Sequence, residues 1–310
     1  MTEKTKSKGV VWVSSYPKSG NTWLRFILAH LLSDKARSST DIDSFIPEAA
    51  IIPGYKITIP DDQPVLLKTH WKISMTLPLM EDTIGFVYII RNPMDIMRSQ
   101  FNFNRLRLNK DNHLLSDEEL LEQQNMYVDA FIQHKGNPLV GHGGGNTSWV
   151  QNILDWTEAS KSYPSVIIRY EDMLNNPEHE ITKIIDFFGL SRSKKEINNL
   201  IKKTSFKAMR RLEDEEIRNK KEGFFYHETL ANAHKSGNRF MRKGKMGEGR
   251  IILKGDKLER FIETFGGTMA LLGYRINPKT GAVRLDDFKL TTLKSLPPLP
   301  LFGRAKTHHQ

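Results

Sequence analysis

Hydrophobic and polar positions along this chain follow two periods in turn. Short apolar, β-branched runs recur at Val10 to Ser14, Pro64 to Thr69, Gly85 to Ile90 and Ser165 to Tyr170, as expected of strands buried on both faces. Helical spacing fills the intervals. A helix is predicted from about Thr22 to Leu32, and Asn92 with Pro93 reads as the N-cap and first residue of another. Ser116 and Glu119 are spaced as a capping box opening a helix to about His134, and Trp149, Val150, Ile153 and Leu154 mark one face of the next. Asn176 and Pro177 start a further helix, whose apolar stripe is Ile181, Ile184, Ile185 and Phe188 and whose stop is Gly189. Strands alternating with helices predict an α/β protein with a central parallel sheet flanked by helices. There is no repeat of fixed period and no low-complexity tract.

The polar stretch Met1 to Gly9 reads as a flexible N-terminus, residues 10–276 as one domain, and residues 277–310, which include Ser295-Leu-Pro-Pro-Leu-Pro, as an extended tail. The 310 residues are 38% hydrophobic, ordinary globular composition that excludes a collagen or a wholly disordered chain. The absence of Cys excludes disulfides, thiolate metal sites and a cysteine nucleophile. Phe26 to Leu32 and Gly85 to Ile90 are the longest apolar stretches, well short of the roughly 20 residues of a membrane helix. The Lys-rich start lacks an apolar leader segment, so no transmembrane segment and a cytoplasmic location are expected. Lys plus Arg number 46 against 36 Asp plus Glu, a net +10 that invites an anionic partner. Basic residues are interspersed with acids, as in Arg210 to Glu222, so a nucleotide or sulfated ligand accounts for the excess as well as nucleic acid does.

Three segments carry candidate chemistry. Val10-Val-Trp-Val-Ser-Ser-Tyr-Pro-Lys-Ser-Gly-Asn-Thr-Trp runs strand, polar loop, helix. The free N–H groups and dipole at a helix start make an anion cradle; Gly20 permits close approach, Ser19 and Thr22 offer hydroxyls and Lys18 a point charge. It is not a Walker A loop, because Lys18 precedes the glycine. The alternative is an ordinary strand-to-helix turn with a surface lysine. Second, Lys68 and His70 stand two apart at a strand end and share a face. In an open α/β sheet that end and the Lys18 loop border one cleft. Neighbouring lysines disfavour imidazolium, leaving His70 neutral and able to act as a base, unless it merely satisfies backbone groups. Third, Arg91 ends a buried strand and Ser99 lies roughly two turns into the following helix, a fork and a hydroxyl suited to phosphate. The alternative pairs Arg91 with a structural carboxylate such as Asp95.

Taken in order, Tyr16-Pro-Lys-Ser-Gly-Asn-Thr-Trp, Lys68-Thr-His, Arg91-Asn-Pro with Ser99, Arg169-Tyr-Glu-Asp-Met, Thr204-Ser-Phe-Lys-Ala-Met and Phe240-Met-Arg-Lys-Gly closely resemble the cytosolic sulfotransferase family, from Val10 to about Tyr274. The resemblance implies a P-loop-like, three-layer α/β domain that binds 3'-phosphoadenosine 5'-phosphosulfate (PAPS), moves its sulfuryl group to an acceptor hydroxyl or amine, and releases 3'-phosphoadenosine 5'-phosphate (PAP). By position, Lys18, Ser19, Gly20, Asn21, Thr22 and Trp23 would cradle the 5'-phosphosulfate, with Trp23 against the adenine. Arg91, Ser99, Arg242, Lys243 and Gly244 would hold the 3'-phosphate. Tyr170, Thr204, Phe206, Met209, Phe240 and Met241 would line the adenine end. His70 would be the base, with Lys18 and Lys68 supplying the positive charge for which a kinase uses magnesium, so no metal is implied.

The chain departs from the family pattern at Asn21, where threonine is common, and at Gly247-Glu-Gly-Arg, where Gly-Asp-Trp-Lys is frequent. The usual dimer-forming stretch is not recognisable near Lys254 to Thr264, which leaves oligomeric state open. Acceptor loops are implied in Ala36 to Asp62, Phe101 to Ser148 and Arg210 to Asn238. Their aromatics (Tyr55, Phe101, Phe103, Phe224, Phe225, Tyr226), their charges (Arg105, Arg107, Lys110) and the mobile-looking Gly143 to Gly145 suit a small-molecule, lipid or glycan acceptor, or a local core. A nucleotide kinase would share the anion cradle but needs a magnesium carboxylate. A nucleic-acid-binding module would need its basic residues gathered on one face. Neither accounts for Lys68 with His70.

Overall fold

A computed structural model describes residues 8–33, 36–49, 57–108, 116–138, 147–228, 234, 239–242 and 244–287. Its centre is a four-stranded parallel sheet of β1 (Val10–Ser15), β2 (Val65–Thr69), β3 (Thr83–Ile90) and β4 (Ser165–Arg169), in the order β2-β1-β3-β4. The alternation of a strand sorts its residues between two packed layers. Val10, Trp12, Phe86 and Tyr88 face one layer with Trp149, Trp156, Phe261 and Phe265. Val11, Val13, Val87 and Ile89 face the other with Leu24, Ile27, Ile184 and Ile185. Helices therefore cover both faces of the sheet, which is why its strands read as continuous apolar runs.

The helices form largely where their start and stop signals stand. Among the described residues, α1 (Asn21–Leu32) and α2 (Ser39–Phe45) follow β1, α3 (Pro93–Leu108) follows β3, and α4 (Asp117–Gln133) opens with the Ser116–Glu119 capping box. Next come α5 (Trp149–Ala159), α6 (Tyr170–Asn175), α7 (Pro177–Phe187), α8 (Lys194–Lys203), α9 (Phe206–Arg218) and α10 (Asp256–Leu271). In α7 the side chain of Asn176 accepts the His179 N–H, and Ile181, Ile184, Ile185 and Phe188 are all buried. Each such side chain contributes about 1.5–3 kcal/mol by leaving water.

Two expectations change. In α5, Trp149 and Ile153 are buried together with Asn152 and Trp156, whereas Leu154 faces solvent. The buried stripe thus runs through the i+3, i+4, i+7 positions from Trp149 rather than to Leu154. The folded part also runs past Asn277, read from sequence as the start of a tail: a turn there joins β5 (Tyr274–Ile276) to β6 (Val283–Leu285) in an antiparallel hairpin. Arg169 fastens the hairpin by donating to the Asp286 carbonyl at 2.8 Å. The sequence from 288 onward and residues 1–7 lie outside the described residues.

Because the four strands are parallel, the segments following them emerge along one edge of the sheet. Read across the sheet, those segments carry His70, Lys18, Arg91 and Tyr170.

Candidate active site

A cavity of about 580 Å³ opens at that edge and is bordered by Lys18, Lys68 and His70 together. The loop after β1 builds its floor. Ser19 N–H donates to the Tyr16 carbonyl at 3.2 Å, tightening the turn, and Lys18 takes a left-handed φ of 67°. Such a conformation costs a non-glycine residue on the order of 1 kcal/mol and is held by its surroundings. Gly20 caps α1 at φ 105°, and a Cβ there would sit 2.6 Å from the Tyr170 ring. Only glycine fits that contact, which brings the α1 N-terminus and its free N–H groups against the cavity.

Lys18 Nζ lies 4.0 Å from the centre of the Phe103 ring and 4.5 Å from that of Phe240. Enclosure lowers its pKa to about 7, with the charges of Arg91 and then Lys68 adding to the effect. His70 Nδ1 lies 2.8 Å from the Ser15 carbonyl oxygen, which can only accept, so Nδ1 carries the hydrogen and Nε2 is the basic nitrogen. Burial first, and then the Lys68 charge, hold the ring well below its usual pKa, so it is neutral at pH 7. Asn152 donates through Nδ2 to the His70 carbonyl at 3.3 Å and accepts the Tyr88 hydroxyl at Oδ1 at 2.7 Å, anchoring the segment from the sheet and α5. Lys68 Nζ is paired at 2.6 Å with Glu48, a partner the sequence did not reveal.

Another part of the cavity lining is aromatic and basic. Trp23 meets Tyr170 edge-on at 5.5 Å, and the Arg91 guanidinium stacks 4.3 Å over the same tyrosine. Arg91 also donates to the Lys18 carbonyl at 3.2 Å. It is not tied to Asp95, because that carboxylate accepts the backbone N–H groups of Gly247 at 2.8 Å and Gly249 at 2.9 Å. The Gly247-Glu-Gly-Arg departure therefore closes its loop through Asp95, and Glu248 pairs with Arg242. Buried Glu213 accepts the N–H groups of Phe240 at 2.6 Å and Met241 at 2.9 Å, fixing the other end of that loop.

Most of the expected site residues meet here. Gly20, Asn21, Thr22 and Trp23 border the cavity, as do Arg91, Ser99 and Tyr170. So do Phe206, Met209, Phe240, Met241, Arg242 and Gly244. Asn21 reaches it with its helix-start backbone, for its amide donates to the Val13 carbonyl at 3.1 Å. Thr204 does not border it: the side chain is buried and its hydroxyl donates to the Leu200 carbonyl at 2.9 Å. Ser19 is buried in the turn beneath. Of the acceptor-side aromatics, Phe103 and Phe224 border the cavity, whereas Phe101, Phe225 and Tyr226 are core. Lys243, Tyr55, Lys110 and Gly143 to Gly145, with the side chain of Arg107, lie outside the described residues.

The residues present fit a phosphorylated nucleotide. Two residues that border the cavity carry buried polar atoms without a protein partner, Trp23 Nε1 and Arg91 Nε. Among the described residues no group of three His, Asp or Glu is placed to hold a metal, and no helix is long and apolar enough to cross a membrane.

The family model described as a sulfotransferase domain matches residues 8–273. Sulfotransferase 1A1 of Rattus norvegicus is 28% identical over 270 residues, 83% of each chain. Sulfotransferase 1C2 of Homo sapiens is 26% identical over 271 residues, covering 82% of this chain and 80% of its own. Mouse sulfotransferase SULT7A1, solved in complex with PAP, superposes with a TM-score of 0.58 at 20% identity over 84% of each chain. Retinol dehydratase, solved with androsterone and the inactive cofactor PAP, gives 0.57 at 20% identity over 84% of this chain and 80% of its own.

Proposed function

As the chain belongs to the sulfotransferase family, we propose that its cavity binds PAPS, with Lys18, Lys68 and His70 carrying the transfer of the sulfuryl group to a small-molecule acceptor. One observation carries the assignment of roles: two lysines and a neutral histidine, from two separate segments, converge on one cavity beside a helix start. The α1 N-terminus and Lys18 suit the 5'-phosphosulfate. Arg91, Ser99 and Arg242, with the backbone at Gly244, suit the 3'-phosphate, and Trp23, Tyr170 and Phe206 suit the adenine. The donor supplies the sulfuryl group: a bond forms from acceptor oxygen to sulfur as the bond from sulfur to the 5'-phosphate oxygen breaks, and PAP leaves with the electron pair. His70 Nε2 takes the acceptor proton, which the neutral ring is ready to do. Lys18 and Lys68 stabilise the charge developing on the leaving and equatorial oxygens.

Phe103 and Phe224 supply an aromatic border to the acceptor side, which favours an acceptor with a flat apolar body bearing the hydroxyl. The test is calorimetry with PAP in the absence of magnesium, together with a screen of acceptors using radiolabelled PAPS. Binding in the micromolar range or tighter is expected. The variant His70→Ala is expected to keep it while losing transfer to every acceptor that the unaltered enzyme uses. A His70→Ala enzyme of undiminished activity would overturn the assigned roles.

A further inference from the structure

The wall beside His70 carries a carboxylate for which the transfer scheme has no use. Glu48 borders the cavity, and its Oε2 lies 2.6 Å from Lys68 Nζ. The backbone imposes this pairing. Lys68 N–H donates to the Pro47 carbonyl at 2.8 Å and Ala49 N–H to the Lys68 carbonyl at 3.0 Å, a one-residue parallel bridge on the outer edge of β2 that sets Glu48 opposite Lys68. Bridge partners project their side chains to the same face. The segment leading to Glu48 is itself held from beneath, for Arg25 of α1 donates to the Ile46 carbonyl at 2.7 Å and pairs with Asp43 at 2.5 Å. Glu216 of α9 accepts the Ser39 N–H at 2.7 Å. The pair is recessed, with side-chain exposures of 15% for Lys68 and 24% for Glu48, so it is screened less than a surface ion pair.

An ammonium in this position is under pressure to lose its proton. Burial lowers the Lys68 pKa, Arg25 lowers it further, and Glu48 and then Asp43 oppose them. On the cavity side Lys68 adjoins His70 and Lys18, and Lys18 in turn faces Arg91. Asp43 is already engaged by Arg25. Without Glu48, Lys68 would have cations for neighbours and no carboxylate of its own, and a neutral amine exerts no field on a developing anion.

We propose that Glu48 is a positioning residue for sulfuryl transfer: its carboxylate keeps Lys68 as an aimed ammonium at the edge of the cavity beside His70. The proposal rests on the sulfotransferase reading, in which Lys68 stabilises the departing charge. It implies that Lys68 is not a free cation awaiting the donor but half of a preassembled pair.

The decisive measurement does not need the acceptor. The full chain, labelled with carbon-13 at the lysine ε position, is titrated by NMR, and the Lys68 signal is identified by its loss in Lys68→Arg. In Glu48→Gln the Lys68 midpoint is expected to fall by about one pH unit or more, and Glu48→Asp is expected to lie between. Equal midpoints in the unaltered chain and Glu48→Gln would overturn the proposal, because a tether of purely structural value leaves the titration in place. Calorimetric PAP binding at pH 7 reports folding, and should Glu48→Gln not fold, Glu48→Asp serves in the same comparison, an unmoved midpoint again being adverse. Failure of the unaltered chain to bind PAP would instead count against the sulfotransferase reading, so the two failures are distinct.

Discussion

The Nδ1 of His70 stands 2.8 Å from the carbonyl oxygen of Ser15, two segments that lie side by side because β1 and β2 pair in parallel, with Ser14 opposite Thr69. That contact fixes the tautomer, and burial with the Lys68 charge keeps the ring from protonating. The sign follows: a base whose pKa is depressed stays active as pH falls through the ordinary histidine value of 6.5 and is lost only below it. The acid limb of kcat/KM for PAPS, which reports the free enzyme and is measured with any acceptor found in the screen, is expected below pH 6.5. Asn152→Ala, which releases the His70 carbonyl, is expected to lower kcat about tenfold with PAP affinity unchanged.

Lys18 gives a separate pH dependence. With its pKa near 7, it is largely uncharged at pH 8 in the free enzyme, and a bound polyanion favours the charged form. PAP binding should therefore take up more proton at pH 8 than at pH 6, and affinity should fall as pH rises above 7 by up to about tenfold per unit. Calorimetry in buffers of differing ionisation enthalpy reads the proton count. Uptake that does not change between the two pH values would sink this prediction.

The course of the main chain was largely legible in the sequence because its signals are local. The cap at Asn176, the proline at 177 and the stripe ending at Phe188 lie within a few turns of one helix, and the structure keeps them together. Lys18, Lys68 and His70 could be brought to one cleft in advance because parallel strands deliver their carboxyl ends to one edge. What stayed hidden depends on distant partners. Glu48 reaches Lys68 through a single bridge beside Pro47, too short to leave an alternating pattern. The β5–β6 strands are three residues each, and Arg169 secures the hairpin from a distant position in the chain. Asp95 is four residues from Arg91, so the sequence left a pair open as an alternative, yet it turns to a loop more than a hundred residues away.

That turn makes Asp95 testable as the anchor of the loop we propose to hold the 3'-phosphate. Its two oxygens take one N–H each, and hydrogen bonds to a charged group contribute about 1.5–3 kcal/mol apiece. Asp95→Ala is expected to weaken PAP binding about tenfold or more. Gly249→Ala should reproduce the loss by a different route, since a Cβ there would sit 2.1 Å from the Met94 carbonyl oxygen. Unchanged affinity in both variants would show that this loop does not need its anchor.

Glu213 holds the other end of the same loop, and its chemistry predicts opposite trends in stability and binding. The carboxylate is buried in α9, and burial raises its pKa above 4.5 despite the N–H groups of Met241 and Phe240. A carboxylate with a raised folded pKa contributes stability that is complete below the unfolded value and declines as pH rises from 4.5 through the folded pKa. The unfolding free energy of the unaltered chain minus that of Glu213→Gln should therefore fall as pH rises above 4.5. Glu213 nonetheless sets Phe240 and Met241 against the cavity through those two N–H groups, so Glu213→Ala should weaken PAP binding about tenfold or more. Denaturant melts across the pH range, with calorimetry at pH 7, separate the two effects. A variant that binds PAP as tightly as the unaltered chain would show that the loop keeps its place without Glu213.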